Sequence, residues 1–396
     1  MPSPGAGGTA ILAVVSNPPL LNGLVLPGGG ARAAYQVGVL KAIAAALPAS
    51  VRVPFPVICG YSAGAINATK LACHGADFRE GVARLDNLWS NLTIDRTYRT
   101  DLRSVLGTSL RWAWGLLRGL DRAGVRSLLD NQPLRELLEH ELDFGAAQDA
   151  IDSGAARAIS VTAAGYTSAH SISFFQAEQD WPGWQRSRRK GRVERLTVEH
   201  VMASVAIPVI FPAARLGDEF YGDGSMRSTA PLSPAIHLGA KRILVVAVRN
   251  EDPNVLGPGQ VARYPSFGQI AGYVLDSLFM DSIYTDLERI RRINHSVAQM
   301  PVTRSAGPAH DLKVIDARIV VPSVDIRDVV YRHRRAFPRT VSSLLGLIGA
   351  RGSAGSQLMS YLLFDQGYCR ELIALGEADG RAQIDQLVPW LLDQSA

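Results

Sequence analysis

Twice near the start of the chain, an apolar run stops at glycine and resumes as a helix. Leu24-Val25-Leu26 gives way to Pro27-Gly28-Gly29-Gly30, after which Ala, Tyr, Val and Leu recur at helical spacing through Ala46. Phe55 to Cys59 reads as a buried strand, Gly60 to Gly64 as a turn, and Ala65 to Cys73 as an apolar helix. Two such units in succession constrain the chain strongly. A strand that feeds a helix returns to the sheet as a parallel neighbour, and a parallel sheet needs helices on both faces.

The alternation continues downstream. Strands are expected at Ala158 to Thr162, Ser171 to Phe175 and Ile243 to Val248, with helices at Val198 to Ser204 and from Pro231 to Gly239. Pro208 and Pro212 mark a loop, and Tyr221-Gly222-Asp223-Gly224-Ser225 reads as a turn. Residues 77–142 read as a wholly helical insert. Beyond Asn250, long helices are expected at Ile270 to Val297 and Ser356 to Leu375, with a strand at Leu312 to Val321 between them. The expected fold class is therefore α/β, with a mostly parallel central sheet over residues 22–250 and a helical extension over 251–396. That extension should pack on the sheet domain, because no flexible linker separates the two. Residues 1–21, rich in Gly and Pro, read as a loose leader.

Composition narrows the function classes. The 41 basic residues are nearly balanced by 36 acidic ones, so a net charge of +5 gives little support to nucleic-acid binding. The one dense basic run, Arg186 to Arg195, reads as a solvated loop, with an anionic membrane contact as the alternative. Cys59, Cys73 and Cys369 show neither metal-ligand spacing nor a disulfide framework, which makes a reducing compartment, by default the cytoplasm, the expectation. The start of the chain lacks a basic region followed by a long apolar stretch, so no signal peptide is expected. No segment has the roughly 18 uncharged apolar residues of a spanning helix, which leaves peripheral contact as the expected form of any membrane association.

Three segments carry candidate chemistry. Gly60-Tyr61-Ser62-Ala63-Gly64 matches the nucleophile elbow, in which small residues flank a serine exposed on a strained strand-to-helix turn. The pentapeptide alone is a weak signal in a chain with 37 glycines, but its position between an apolar strand and an apolar helix is the context the elbow requires. Gly28, Gly29, Gly30, Ala31 and Arg32 form a glycine turn at a helix N-terminus, suited to presenting N–H groups to an oxyanion, with Arg32 as a nearby cation. No Gly-Lys-Ser or Gly-Lys-Thr follows, and Ala33 stands where a dinucleotide fingerprint needs its third glycine. Serine needs a base at neutral pH, and Asp223, between Gly222 and Gly224, is the candidate.

Taken in order, Gly28 to Arg32, Gly60 to Gly64, Ala203-Ser204-Val205-Ala206-Ile207-Pro208 and Asp223-Gly224-Ser225 resemble the patatin-like phospholipases over about residues 22–250. The resemblance implies a three-layer α/β/α domain and a lipid ester substrate, with no cofactor. It also implies a Ser-Asp dyad in which Ser62 attacks the acyl carbonyl and Asp223 takes its proton. Ala33 and Ser225 stand where the family often has glycine, and glycine or alanine, respectively. Tyr361-Leu362-Leu363-Phe364-Asp365 looks like the C-terminal part of some bacterial members. Two alternatives remain open: an α/β-hydrolase triad recruiting His237, His295, His310 or His333, and a non-catalytic lipid-binding adaptor. The insert, with Leu102, Val105, Leu106, Leu110, Trp112, Trp114, Leu116 and Leu117 among Arg103, Arg111 and Arg118, is a further candidate for membrane contact. Core packing is the competing reading.

Overall fold

The computed structural model describes residues 21–100, 127–178, 180–250, 264–299, 313–350 and 355–393. The expected leader and the Trp112–Trp114 stretch lie outside these residues. The chain opens as β1 (Asn22–Leu26), α1 (Ala34–Ala46), β2 (Val57–Tyr61) and α2 (Ala63–Ala72), which are the two strand–turn–helix units of the sequence. Helices α3 (Phe78–Ser90), α4 (Gln132–Glu141) and α5 (Phe144–Asp152) precede β3 (Ala158–Gly165) and β4 (Ser171–Ala177). Strands β1, β2 and β3 are buried along their whole length, as expected for a parallel sheet covered on both faces.

Next come β5 (Trp184–Arg186), β6 (Arg189–Val193), α6 (Val198–Ser204), β7 (Ala214–Leu216), β8 (Glu219–Asp223), α7 (Ser233–His237) and β9 (Arg242–Val246). The sheet order is β10-β9-β1-β2-β3-β4-β6-β5, with β10 (Asp316–Val320) at one edge and β8 and β7 attached through β3. Pairings β10–β9, β9–β1, β1–β2, β2–β3 and β4–β6 are parallel. The mostly parallel α/β architecture is thus as expected.

Several local features differ from the sequence reading. The basic run is an edge hairpin, not a loop: β5 pairs with β6 around Arg188, at φ 59°, and Trp184 stacks on Phe175 at 4.9 Å and on His237 at 4.8 Å. Exposed arginines hid its strand character, and one tryptophan anchors it. Asp223 ends a strand instead of sitting in a free turn. The long helix near Ile270 is broken by a π turn at Ser277–Asp281 into α8 (Phe267–Asp276) and α9 (Ser282–Gln299). The last long helix is also divided. Helices α10 (Ile326–His333), α11 (Arg339–Leu347) and α12 (Ser356–Leu362) precede α13 (Gln366–Ala382), whose N-terminus is capped by Asp365 accepting the Tyr368 N–H at 3.1 Å.

Helix α13 lies directly on α1, and two glycines permit it. A Cβ on Gly38 would sit 2.0 Å from the Ile373 carbonyl oxygen, and one on Gly376 would sit 2.1 Å from that of Tyr35. The two backbones therefore approach more closely than any side chain would allow. The Tyr35 hydroxyl then donates to Asp379 at 3.0 Å, whose carboxylate also accepts the Ser323 N–H at 2.9 Å. At the chain's far end, α14 (Ile384–Leu392) is tied to β1 by Asn22, whose side-chain amide donates to the Leu391 carbonyl at 3.0 Å.

This contact fixes the sign of one substitution. Helix propensity alone predicts that Gly376→Ala stabilises the protein by about 1 kcal/mol, whereas the close approach predicts overpacking that costs about 1–3 kcal/mol. Urea denaturation of the variant should show the loss.

Candidate active site

One edge of β3 serves two strands. β2 runs parallel to it from Val57 opposite Ala158 to Tyr61 opposite Thr162, and there it stops. β8 arrives from the other direction and pairs antiparallel, with Tyr221 opposite Gly165 and Asp223 opposite Ala163. β4 holds the other edge of β3 throughout. The C-terminal ends of β2 and β8 therefore meet between Thr162 and Ala163. Ser62, the residue after β2, and Asp223, the last of β8, arrive at one point from distant parts of the chain.

The elbow is built as its glycines demand. Ser62 has φ 51° and ψ −131°, a sparsely populated conformation for a residue with a Cβ, and helix α2 begins at the next residue. A Cβ on Gly60 would lie 2.5 Å from Ala65 Cα, and one on Gly64 would lie 2.1 Å from the Leu26 carbonyl oxygen. The Ser62 N–H donates to Ser204 Oγ at 2.9 Å, and the Ser204 hydroxyl donates to the Thr162 carbonyl at 2.7 Å. Ser204 thus fastens the elbow to the point on β3 where the two strands meet. Its neighbour Ala206 fastens the other half, because its carbonyl accepts the Asp223 N–H at 2.9 Å. Nothing in a run of small residues announces two backbone anchors.

Asp223 is 1% exposed. One carboxylate oxygen, Oδ1, accepts the Ser225 N–H at 2.9 Å, while Oδ2 has no hydrogen-bond partner among the described residues. Burial pushes the Asp223 carboxyl up to about 6, against the pull of the Ser62 hydroxyl and the Ser225 N–H, which favour the ionised form. A Cβ on Gly224 would fall 1.9 Å from the Thr162 carbonyl oxygen, so only glycine lets the chain turn away here.

The glycine loop lies against this pair. A Cβ on Gly28 would be 2.8 Å from Ser225 Oγ, and Gly30, at φ 54°, lines the same cavity as Ser62. The Arg32 N–H closes the turn onto the Gly29 carbonyl at 3.1 Å, whereas the amides of Gly29 and Gly30 donate to no backbone carbonyl among the described residues. Of the segment Gly28 to Arg32, the Arg32 amide is therefore already engaged. Its side chain also points elsewhere. The guanidinium is buried, donates to Ser360 Oγ and Asp276 Oδ1 at 2.8 Å each, and stacks 3.9 Å above the Tyr361 ring. Although burial opposes it, the Arg32 charge holds the Asp276 carboxyl below its usual value. Arg32 ties the loop to the C-terminal helices and lines a separate cavity with Arg249 and Asp325.

The cavity at Ser62 is apolar and narrow, about 30 Å³, with Ile66, Trp89, Leu138, Ile207 and Phe364 in its walls. Among the described residues, no histidine lines it. Burial, together with Arg186 and Arg189, pushes His237 down to about 4, and it stacks on Trp184. His295 shares a hydrogen bond with Gln299 at 2.9 Å, and His333 pairs with Glu371. His310 lies outside the described residues. Between Ile207 and Phe211, which line the cavity, the loop is strained at Val209, β-branched and 56% exposed, which sits at φ 68°.

The family model described as patatin-like phospholipase matches residues 24–236, from β1 through α7. No curated protein matches the chain. Among solved structures, VipD from Legionella pneumophila is similar over 90% of this chain and 67% of its own, at 13% identity and a TM-score of 0.30.

Asp223 gives a stability prediction whose sign follows from its pKa. A carboxyl raised from 3.8 to about 6 binds its proton more tightly when folded. Folding is therefore penalised as pH rises through about 4 to 6, by about 3 kcal/mol at neutral pH. Asp223→Asn should accordingly be more stable than the wild type at pH 8, and the difference should vanish near pH 4 in paired denaturation curves.

Proposed function

The chain belongs to the patatin-like phospholipase family, and on that premise we propose that it is a lipid acyl hydrolase working through a Ser62–Asp223 dyad. The observation that carries this reading is the meeting of β2 and β8 on β3, which sets the Ser62 hydroxyl against a buried carboxylate with one open oxygen. Asp223 accepts the hydroxyl proton as Ser62 Oγ bonds to the acyl carbon. The negative charge that develops on the carbonyl oxygen is met by N–H groups of the Gly28–Ala31 turn and by the N-terminal end of α2. Collapse expels the alcohol, which takes the proton from Asp223 and leaves an acyl ester on Ser62. A water molecule, deprotonated by Asp223, then attacks that ester; as the bond to Ser62 breaks, Asp223 returns the proton to Ser62 Oγ and the fatty acid is released.

A pKa near 6 suits the base, since the carboxylate is ionised at neutral pH yet basic enough to take a proton. The apolar walls around Ser62 support an aliphatic acyl donor over a polar one. His237, held against Trp184, His295, paired with Gln299, and His333, paired with Glu371, give the triad reading no support from those three residues.

Release of fatty acid from phosphatidylcholine vesicles and from p-nitrophenyl esters tests the proposal. The value of kcat/KM should rise with pH through about 6, and Ser62→Ala and Asp223→Asn should each lower kcat by at least about 10⁴-fold. Retained activity in Ser62→Ala, or an equal loss in any of the four histidine-to-alanine variants, would defeat it.

A further inference from the structure

The serine cavity is too small for the substrate proposed. At about 30 Å³ it holds a water molecule or two, not an aliphatic chain. A second cavity, of about 390 Å³, shares Ile207 with it, so that residue borders both spaces. This groove runs between the Ile207–Ile210 loop and helices α8, α11 and α12, and its lining among the described residues is aliphatic or proline throughout. Val209 and Val274, 56% and 49% exposed, place its mouth at the surface. Most of its walls come from beyond residue 236, outside the part of the chain the family model matches.

We propose that this groove binds the hydrocarbon tail of a long-chain fatty acyl group whose carbonyl lies at Ser62, an inference that rests on the hydrolase reading above. Its volume falls within the range of roughly 300–1,000 Å³ typical of small-ligand sites. A cavity with no polar wall offers water no hydrogen bonds, whereas an alkyl chain loses nothing by entering. The loop with its strained Val209 is wall to both spaces: Val205, Ile207 and Phe211 face the serine, and Ile207 to Ile210 face the groove. The same loop is pinned by another part of the groove wall, where the Val209 and Ile210 carbonyls accept the N–H groups of Leu128 and Leu129 at 2.7 and 2.9 Å. A chain that follows this wall from the serine passes Ile207 into the groove. The acyl-length preference is thereby assigned to the C-terminal helices, while the dyad is assigned to the sheet.

The test compares p-nitrophenyl butanoate with p-nitrophenyl dodecanoate. Ala271→Trp fills the groove from α8, and Val274→Asp, at a half-exposed position, makes its rim polar. Each should lower the dodecanoate-to-butanoate ratio of kcat/KM by about tenfold or more, and thermal melts establish that each variant is folded. Independently, cis-parinaric acid should bind the Ser62→Ala protein, and Ala271→Trp in that background should weaken its Kd by about tenfold. Folded variants with unchanged ratio and unchanged parinarate affinity would overturn the groove assignment while leaving the dyad intact. Should the wild type hydrolyse neither ester, the hydrolase reading fails, and the parinarate result alone then decides whether the groove takes an acyl chain.

Discussion

A strand edge ordinarily carries one neighbour. Here the edge of β3 carries β2 as far as Thr162 and β8 from Ala163 onward, the first parallel and the second antiparallel. Two strands entering one edge from opposite ends must point their C-termini at each other, and whatever residues stand there are forced together. The separation of Ser62 and Asp223 is therefore set by backbone hydrogen bonds to adjacent residues of a buried strand. Mobile side chains do not set it. The Ala203–Pro208 segment completes the arrangement from outside the sheet, with the Ser204 hydroxyl holding the Ser62 amide and the Ala206 carbonyl holding that of Asp223.

This junction concentrates costs that the rest of the fold must offset. Ser62 is strained, Asp223 is buried with one oxygen that has no hydrogen-bond partner among the described residues, and Gly60, Gly64 and Gly224 sit where any Cβ would strike backbone. The compensation is spread widely, through β1, β2 and β9 with their aliphatic side chains fully covered and through α13 pressed onto α1. Arg32 links the two parts. Its backbone closes the glycine turn beside the serine, and its guanidinium is locked among Ser360, Tyr361 and Asp276. The C-terminal helices thereby brace the glycine turn beside Ser62.

Much of this was legible in the sequence because its strongest signals are local. An apolar run broken by glycine and followed by helical spacing names a strand, a turn and a helix without tertiary information, and both Leu24–Ala46 and Phe55–Cys73 fold that way. Signals that depend on neighbours were not legible. The β5–β6 hairpin consists of charged residues whose strand character comes from pairing with β4 and from the stacking of Trp184. Asp223 read as a turn because Gly222 and Gly224 flank it, and β8 becomes visible only once β3 offers it an edge. Arg32 read as a cation for the site, but a buried carboxylate from a distant helix claims it. Ser204 gave no sign of its role, since a hydroxyl shared between an amide and a carbonyl has no sequence pattern.

The central claim is that the strand junction makes Ser62 the acylated residue and Asp223 its base. Mass spectrometry of acid-quenched turnover with a slow ester measures this most directly. One added acyl group is expected on the peptide containing Ser62, absent in Ser62→Ala and failing to form in Asp223→Asn. An acyl group on any other residue, or normal acylation of Ser62 in Asp223→Asn, would contradict it.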